Sequence, residues 1–273
     1  MSVAPGLRRA IGLLSCPTCT AGLELDQTAV GCAQGHRFDV ARQGYLNLLG
    51  GPQPAHADTP AMIAARARVH DAGVFGPVRE LLAQVCAGCA AVLEVGSGTG
   101  AYLQAALGEN PGTIGIAMDI STAAARVAAK LDPRIGAVVA DVWQRFPIVD
   151  AGMDAVLAVF APRNFDEFAR VLKPSGQLVV VTPEPDHLIE LRSTHKLLGL
   201  HPQKAASVAA HAQSGFELID RLRHRSTYDA DAPLVADLIA MGPNAFHGPP
   251  GTVEATTVTV SVTVQVFARN PVG

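Results

Sequence analysis

The run LEVGSGTG, residues 93–100, decides the fold of this chain. An apolar stretch ending in Val95 leads straight into three glycines separated by single residues, and a helical stretch, AYLQAAL, follows. Strand, glycine-rich turn and helix in this order are typical of the first unit of a doubly wound α/β sheet, where bare backbone lies close to a ligand. A dinucleotide-binding fingerprint would carry its third glycine one residue later.

The residues in and before this loop favour S-adenosylmethionine over a dinucleotide. The methionyl end of that cofactor carries an ammonium and a carboxylate but no phosphate. Glu94 lies two residues before the first glycine, where its carboxylate can face the ammonium. Backbone N–H groups at Gly96, Ser97 and Gly98 can face the cofactor carboxylate.

Acidic residues also close the next two strands. Asp119 ends the stretch TIGIAMD and is placed for the ribose hydroxyls. Asp141 ends the third strand, where the adenine would lie, and Trp143 beside it either packs on the adenine ring or belongs to the core. Glycine loop, ribose acid and adenine acid in this order predict an S-adenosylmethionine-dependent methyltransferase.

A second cluster lies near the start of the chain, where three of the five cysteines and a histidine fall within residues 16–36. The spacing is Cys16-x2-Cys19 followed by Cys32-x3-His36. Three thiolates and one imidazole fill the tetrahedron of a zinc ion and leave no open position, which indicates a structural site. So small a segment has little core of its own, so the metal supplies folding energy.

The bulk composition indicates a cytoplasmic globular protein. Hydrophobic residues make up 49% of the chain, yet no apolar run reaches the roughly 18–20 residues of a membrane span, and no signal peptide is recognisable. An odd cysteine count argues against a disulfide framework, and Cys86 and Cys89, a CxxC without a partner pair, are expected to be small buried residues. The net charge of −3 means that any nucleic-acid contact needs a local basic patch.

Helix and strand patterns alternate beyond the zinc cluster, and the chain ends in two alternating stretches, 217–229 and 256–269, that read as an antiparallel pair. The predicted fold class is therefore α/β: a class I S-adenosylmethionine-dependent methyltransferase, Rossmann-like, with a mostly parallel sheet and an antiparallel C-terminal edge. The predicted domains are a zinc-binding, RNA-recognition module over 1–50, a linker over 51–61 and a methyltransferase domain over 62–273.

Several segments together resemble the RlmA family of bacterial 23S rRNA (guanine-N1)-methyltransferases over nearly the whole chain. The segments are CPTC, GHRFDVARQGYLNLL, DTPAMIAARARVHDAG, LEVGSGTG, FAPRN, LKPSG and TPEPDHL. Within the family, VFAPRN and MGPNAFH resemble the tylosin-resistance (type II) branch of actinobacteria. The resemblance implies methylation of a guanine in a hairpin loop of 23S rRNA at the peptide exit tunnel, a homodimer and macrolide resistance of the tylosin type.

The resemblance also implies roles for particular residues. It assigns the zinc ligands to the cluster above and the cofactor contacts to Ser97, Gly98 and His187. Some members of the family have a tyrosine where this chain has Phe75, so only ring packing on the cofactor is expected there.

The chemistry needs the N1 proton of guanine to leave, and the sequence offers three proton acceptors by position. Asp58, His187 and Glu190 are the candidates, but each has another explanation, so the catalytic base is left unassigned. Arg163 and Asn164 follow the fourth strand, where a target base would be held, or they form an ordinary loop.

Arginines flank the zinc cluster and the linker, and we expect this set to hold RNA phosphates. The set comprises Arg8, Arg9, Arg37, Arg42, Arg66 and Arg68. Arg221, Arg223 and Arg225 alternate, so on a strand they would share one face.

Two other functions remain open at this point. A small-molecule methyltransferase with a structural zinc lid would need an apolar pocket and no affinity for RNA. A catalytically silent RNA- or protein-binding module would make no use of the Glu94 loop or of Asp119.

Overall fold

The computed structural model of the chain describes residues 3–26, 29–195, 208, 210, 212, 215–242, 245 and 252–270. The run MGPNAFH, residues 241–247, lies outside the described residues except at 241, 242 and 245. Within the described residues, none of the helices has the length and apolar character that crossing a bilayer requires.

A small antiparallel sheet carries the zinc cluster. Its strands, in the order β1-β2-β3, are β1 (Leu23–Asp26), β2 (Ala29–Cys32) and β3 (Arg37–Asp39). The register places Leu23 opposite Cys32 and Gly31 opposite Arg37. Cys32 therefore ends one strand of the hairpin while His36 directly precedes the next.

A second sheet of eight strands forms the body of the protein, in the order β10-β11-β9-β8-β5-β6-β7-β4. Its strands are β4 (Leu46–Asn47), β5 (Ala91–Val95), β6 (Ile114–Asp119), β7 (Ile135–Val139), β8 (Met153–Val159), β9 (Leu172–Pro183), β10 (Phe216–Ala230) and β11 (Thr256–Arg269). Neighbours from β4 to β9 pair in parallel, whereas β11 pairs antiparallel with both β9 and β10. The predicted fold class is confirmed, including the antiparallel C-terminal edge.

Helices cover both faces of this sheet. They are α1 (Pro5–Ala10), α2 (Pro60–Asp71), α3 (Gly76–Val85), α4 (Ala101–Ala106), α5 (Thr122–Leu131), α6 (Phe165–Val171), α7 (Ile189–His195) and α8 (Ala232–Ala240), with a 3-10 turn over Ile11–Leu13. Polar caps begin several of them: Thr59 Oγ1 accepts from Met62 N–H at 3.3 Å and Ser121 Oγ from Ala124 N–H at 3.3 Å. Gly73, with φ of +83°, follows α2 where the sequence predicts its end.

The core lies on the two faces of the large sheet, and the strands divide between them by alternation. Val92 packs into one hydrophobic cluster and Leu93 into the other, as successive residues of a strand must. The second cluster also takes in Cys16 and Val30 from the zinc-bearing segment. The N-terminal segment is thus packed onto the sheet, and its strand β4 forms one edge.

One expectation on local structure differs from the fold. The run KPSG is predicted as a tight turn before the fifth strand, but β9 already begins at Leu172, opposite Met153 of β8. Lys173 Nζ lies 2.7 Å from Asp154 Oδ1 of that neighbouring strand, with an irregular register between the two. Pairing resumes at Gln177, opposite Ala155, so the run KPSG is an irregular insertion within β9 rather than a turn that precedes it.

Helix α1 approaches β7 so closely that a side chain cannot fit at Gly6. A Cβ there would lie 1.9 Å from the carbonyl oxygen of Ile135. We expect Gly6→Ala to destabilise the protein by about 1–3 kcal/mol or more, because overpacking against backbone forces the helix off the sheet. The melting temperature should then fall by about 2–4 °C for each kcal/mol of stability that is lost.

Gly12→Ala is the matched control for that change, because a Cβ at Gly12 meets nothing within 4 Å. It should leave the melting temperature near that of the unchanged protein. Equal melting temperatures for the two variants would show that α1 does not pack as described.

Candidate functional site

The site lies at the carboxyl edge of the parallel strands, where chain order reverses in the sheet. From β5 the chain runs outward through β6 and β7 on one side, and then through β8 and β9 on the other. Crevices at such a reversal are where open α/β sheets bind ligands. The glycine loop follows β5 at this point, and Phe160 follows β8 opposite it.

The glycine loop needs glycine for two independent reasons. Gly96, Gly98 and Gly100 all have left-handed backbones, with φ of +61°, +53° and +81°. A Cβ at Gly96 would also lie 2.9 Å from Ala161 Cβ, and one at Gly98 would lie 2.7 Å from Arg66 Nη1. The loop is therefore wedged between the start of the β8–α6 loop and helix α2.

Two carboxylates, the buried Glu94 and the half-buried Asp119, hold the loop. Asp119 accepts hydrogen bonds from Gly98 N–H and Ser121 N–H, both at 2.8 Å, and Glu94 accepts one from Leu103 N–H at 3.1 Å. Burial raises the pKa of Glu94 well above its usual range and also raises the pKa of Asp119. The structure thus brings both predicted acids to the loop.

The backbone amides of the loop do not act as the sequence suggests. Gly98 N–H donates to Asp119, and Ser97 N–H donates to the carbonyl oxygen of Met118 at 3.2 Å. Two side-chain hydroxyls are left for a ligand, since Ser97 Oγ and Thr99 Oγ1 are buried and bond to no other group in the described residues. Orphaned buried donors beside a glycine cradle fit a bound polar cofactor such as S-adenosylmethionine.

An aromatic cluster lines the same edge. The ring of the buried Phe75 lies 6.2 Å from Tyr102, 6.2 Å from Phe160 and 6.1 Å from His187, centroid to centroid. His70 packs edge-on to Tyr102 at 4.8 Å. The structure therefore brings together Phe75 and His187, which sequence reasoning proposed separately, and adds three rings that it missed.

His187 is a neutral hydrogen-bond donor in this environment. Its Nδ1 accepts from Ser261 N–H at 3.2 Å, so in the neutral ring the proton is on Nε2. Burial, assisted by the charge of Arg192, lowers the pKa of His187 to about 4. It can donate to a ligand from Nε2, but its one basic nitrogen is already occupied.

The other two candidate bases are also engaged. Asp58 Oδ2 lies 2.6 Å from Arg66 Nη1. Glu190 accepts from Thr259 through both oxygens, at 3.0 Å from N–H and 2.6 Å from Oγ1. The general base stays unassigned.

Asp141 and Trp143 occupy the loop after β7. Asp141 Oδ1 accepts from Trp143 N–H at 2.9 Å, which fixes the turn. The Trp143 side chain is 64% exposed, so the interpretation of this tryptophan as a core residue is wrong. Trp143 lies beyond the end of β7, in a loop at the surface.

Arg66 is a site residue that sequence reasoning placed elsewhere. Its guanidinium lies against Gly98, pairs with Asp58 and donates to the carbonyl oxygen of Met241 at 2.6 Å. Arg68 makes a bidentate pair with Asp237, at 2.5 and 2.7 Å. Arg66 supports the loop and Arg68 links α2 to α8, so the expectation that they hold RNA phosphates is corrected.

Two of the remaining arginines of the predicted RNA set, Arg9 and Arg37, are also bonded within the protein. Arg37 pairs with Asp26 at 2.9 Å in an exposed pair, and Arg9 donates to Pro111 O at 2.6 Å. On β10, the predicted shared face is confirmed: Arg221, Arg223 and Arg225 are all exposed, while the residues between them are half-buried.

Asn164 is a helix cap rather than a reader of bases. Its Oδ1 accepts from Glu167 N–H at 3.3 Å, and its Nδ2 donates to the carbonyl oxygen of Val142 at 3.0 Å. Both ends of the amide are therefore used inside the protein. Arg163 beside it is half-buried.

The predicted zinc ligands converge. Cys16 Sγ lies 3.6 Å and Cys32 Sγ 3.4 Å from His36 Nδ1, and Cys19 Sγ lies 3.6 Å from Cys32 Sγ. A tetrahedral site with Zn–S of about 2.3 Å and Zn–N of about 2.0–2.1 Å separates its ligand atoms by about 3.5–3.8 Å. The donor set and its spacing fit a structural zinc ion, and Cys86 and Cys89 lie in another part of the fold, where α3 ends.

Comparison with known proteins agrees with both halves of this description. The family model described as RlmA, N-terminal, matches residues 14–53, and the one described as methyltransferase domain matches residues 92–176. The 23S rRNA (guanine(748)-N(1))-methyltransferase of Streptomyces fradiae is 40% identical over 249 residues, which cover 89% of each chain. This chain belongs to the 23S rRNA (guanine-N1)-methyltransferase family.

A second actinobacterial member of the family, from Micromonospora griseorubida, is 39% identical over 279 residues, covering 93% of this chain and 94% of its own. Among solved structures, the N-methyltransferase NodS from Bradyrhizobium japonicum in complex with S-adenosyl-L-homocysteine is 14% identical, with a TM-score of 0.43. It covers 82% of this chain and 94% of that one. The family models and the two relatives confirm the family predicted from sequence, and with it an S-adenosylmethionine-dependent methyltransferase that carries a zinc ribbon.

The zinc assignment predicts a difference between two cysteine variants. Cys19→Ser should lose the zinc, because it removes a ligand, and the ribbon should then unfold. Cys89→Ser should keep about one zinc per chain, since Cys89 lies outside the cluster. Elemental analysis of the purified variants measures this, and equal zinc contents would refute the assignment.

The loop geometry predicts a difference between two glycine variants. Gly98→Ala should weaken binding of S-adenosylhomocysteine by at least about tenfold, or about 1.4 kcal/mol, because the new Cβ displaces Arg66 and the loop. Gly108→Ala has nearly the same backbone strain, φ of +55° against +53°, but open space around it. Calorimetric titration should find unchanged affinity there, and similar losses in both variants would argue against a cofactor at this loop.

Proposed function

We propose that this chain transfers the methyl group of S-adenosylmethionine to N1 of guanine 748 of 23S rRNA. This is the guanine in the name of its Streptomyces fradiae relative. The observation that carries the proposal is the 40% identity across 89% of both chains, which spans the zinc ribbon and the methyltransferase domain together. As the resemblance implies, this guanine lies in a hairpin loop at the peptide exit tunnel.

The buried edge of the sheet suits the cofactor. S-adenosylmethionine supplies an electrophilic methyl carbon on a sulfonium. Glu94 and Asp119 are placed for the ammonium and the ribose, Ser97 Oγ for a polar group of the methionyl end, and Asp141 for the adenine. Because the methyl group is already activated, the protein contributes mainly alignment of the two reactants.

Phe160 is placed to contact the target guanine. It is a non-glycine residue with φ of +55°, and such strained backbones persist where the surrounding structure enforces them, often at functional sites. Its ring is 37% exposed yet lies 5.5 Å from His187, so one side faces the site and the other solvent. An aromatic face at the mouth of the site suits a base splayed out of a loop.

The polar requirements of the reaction are modest here. His187 Nε2–H is available to donate a hydrogen bond, and Phe75 and Tyr102 exclude water behind it. None of the three candidate bases is free to take the N1 proton, so that proton leaves to solvent as the methyl group is transferred.

A small-molecule methyltransferase would need an apolar pocket, and two cavities of suitable size lie away from this edge. Two cavities of about 450 and 560 Å³ are lined by the linker with α2 and α5, and by the zinc-bearing segment with α5. Neither is lined by Phe160 or His187. The rim around Phe160 is open, which suits a macromolecular substrate.

The proposal includes a homodimer that acts in the cytoplasm, and resistance to macrolides of the tylosin type. Methylation of N1 removes a hydrogen-bond donor and adds bulk to the tunnel wall. That is the physical basis on which a bound macrolide would be weakened.

The test is methyl transfer from labelled S-adenosylmethionine to 23S rRNA that lacks the modification, with primer extension to map it. An N1-methyl group blocks Watson–Crick pairing, so the stop should lie beside the proposed guanine. Phe160→Leu should lower kcat/KM for the RNA by about tenfold, which is about 1.4 kcal/mol. Leu218→Ala, of matched exposure at 38%, should leave it unchanged.

Transfer to a different nucleotide would overturn the proposed position. Transfer to no RNA, with cofactor binding intact, would overturn the proposed substrate.

A further inference from the structure

Trp143 is displayed on the surface beside the site. It is the one tryptophan of the chain, and among the described residues it is the most exposed large apolar side chain, at 64%. It follows β7 at the carboxyl edge of the sheet, two residues after Asp141. An exposed indole contributes little to the stability of the fold, whereas bases of single-stranded RNA stack readily on such rings.

The backbone that carries Trp143 is held on both sides, so the exposure does not come from a loose loop. Asp141 accepts from Trp143 N–H at 2.9 Å through its side chain and from Gln144 N–H at 3.1 Å through its carbonyl oxygen. Asn164 Nδ2 donates to Val142 O at 3.0 Å from the other loop. A ring presented on a fixed backbone binds a flat partner at low entropic cost.

The residue that precedes Asn164 carries a charge in the loop that is hydrogen-bonded to the Trp143 loop. Arg163 is half-buried, and burial alone lowers the pKa of its guanidinium. Within the described residues it makes neither an ion pair nor a hydrogen bond, whereas Arg66, Arg134 and Arg170 are all paired with acids. A desolvated guanidinium without an acid is suited to an incoming anion such as a phosphate.

We propose that Trp143 stacks on an unpaired base of the RNA loop adjacent to the target guanine, while Arg163 binds the phosphate between them. The bond between Asn164 and Val142 holds the two loops that carry these residues together. This inference rests on the proposed function, since it names a second contact for the same substrate. Phe160 and Trp143 would then stack on neighbouring bases at the same edge of the sheet.

Because Trp143 is the one tryptophan, its fluorescence reports on this contact directly. The full-length protein is saturated with S-adenosylhomocysteine and titrated with an RNA hairpin of the 23S sequence. Stacking of a base should quench the emission as the RNA binds, while S-adenosylhomocysteine by itself should leave it nearly unchanged.

Kinetics of variants complete the test. Trp143→Ala should raise KM for the RNA about tenfold with kcat and the affinity for S-adenosylhomocysteine little changed, because stacking acts on the RNA alone. Trp143→Phe should restore most of the loss. Ile219→Ala, which removes another exposed apolar side chain, 56% exposed, should have no effect.

The outcomes separate this inference from the proposed function. Quenching by S-adenosylhomocysteine alone would place Trp143 on the adenine and overturn the inference. RNA methylation with neither quenching nor a change in KM would also overturn it and leave the proposed function standing. Absence of both methylation and RNA binding would overturn the two together.

Discussion

The hydrogen bond from Gly98 N–H to Asp119 is the interaction on which the site depends. It holds the left-handed glycine loop at 2.8 Å from a half-buried carboxylate, while the other oxygen of Asp119 fixes Ser121. Ser121 in turn caps α5 and donates to the carbonyl oxygen of Asp58 in the linker. Loop, helix and linker are thereby joined through one acid, whose burial is offset by two N–H donors and the charge of Arg66.

The zinc ribbon is positioned by the same core that supports the site. Cys16 is 1% exposed and packs in one cluster with Leu7, Leu93 and Phe146. Strand β4 then joins the edge of the large sheet next to β7. A ribbon held by packing on both its flanks can present its surface at a fixed place relative to the methyl-transfer site, as recognition of a folded RNA requires.

The charge distribution explains how a chain of net charge −3 can serve an RNA substrate. Arginines such as Arg66, Arg68 and Arg170 form ion pairs with partly buried acids, which balance much of their charge within the protein. Arg163 forms no such pair within the described residues, and it lies in the loop that follows β8. In our proposal, affinity for RNA comes from stacking and a few charges rather than from a basic surface.

Local patterns determined much of this protein from sequence alone. The zinc ligands, the glycine loop with Glu94 and Asp119, the alternation of strands and helices and the antiparallel C-terminal pair all follow from spacing and periodicity. These features depend on residues that are neighbours in the chain. Phe75 and His187 were reachable through family resemblance, and the structure brings their rings within 6.1 Å.

Only the tertiary structure decided which side chains meet across the sheet. It placed Arg66 over Gly98, used Asn164 to cap α6 and to hold the Trp143 loop, and assembled Tyr102, Phe160 and His70 around the site. It also left Trp143 exposed rather than buried. Periodicity along a chain carries no information about such meetings, because a side chain takes its partner from elements that are distant in sequence and adjacent only in the folded sheet.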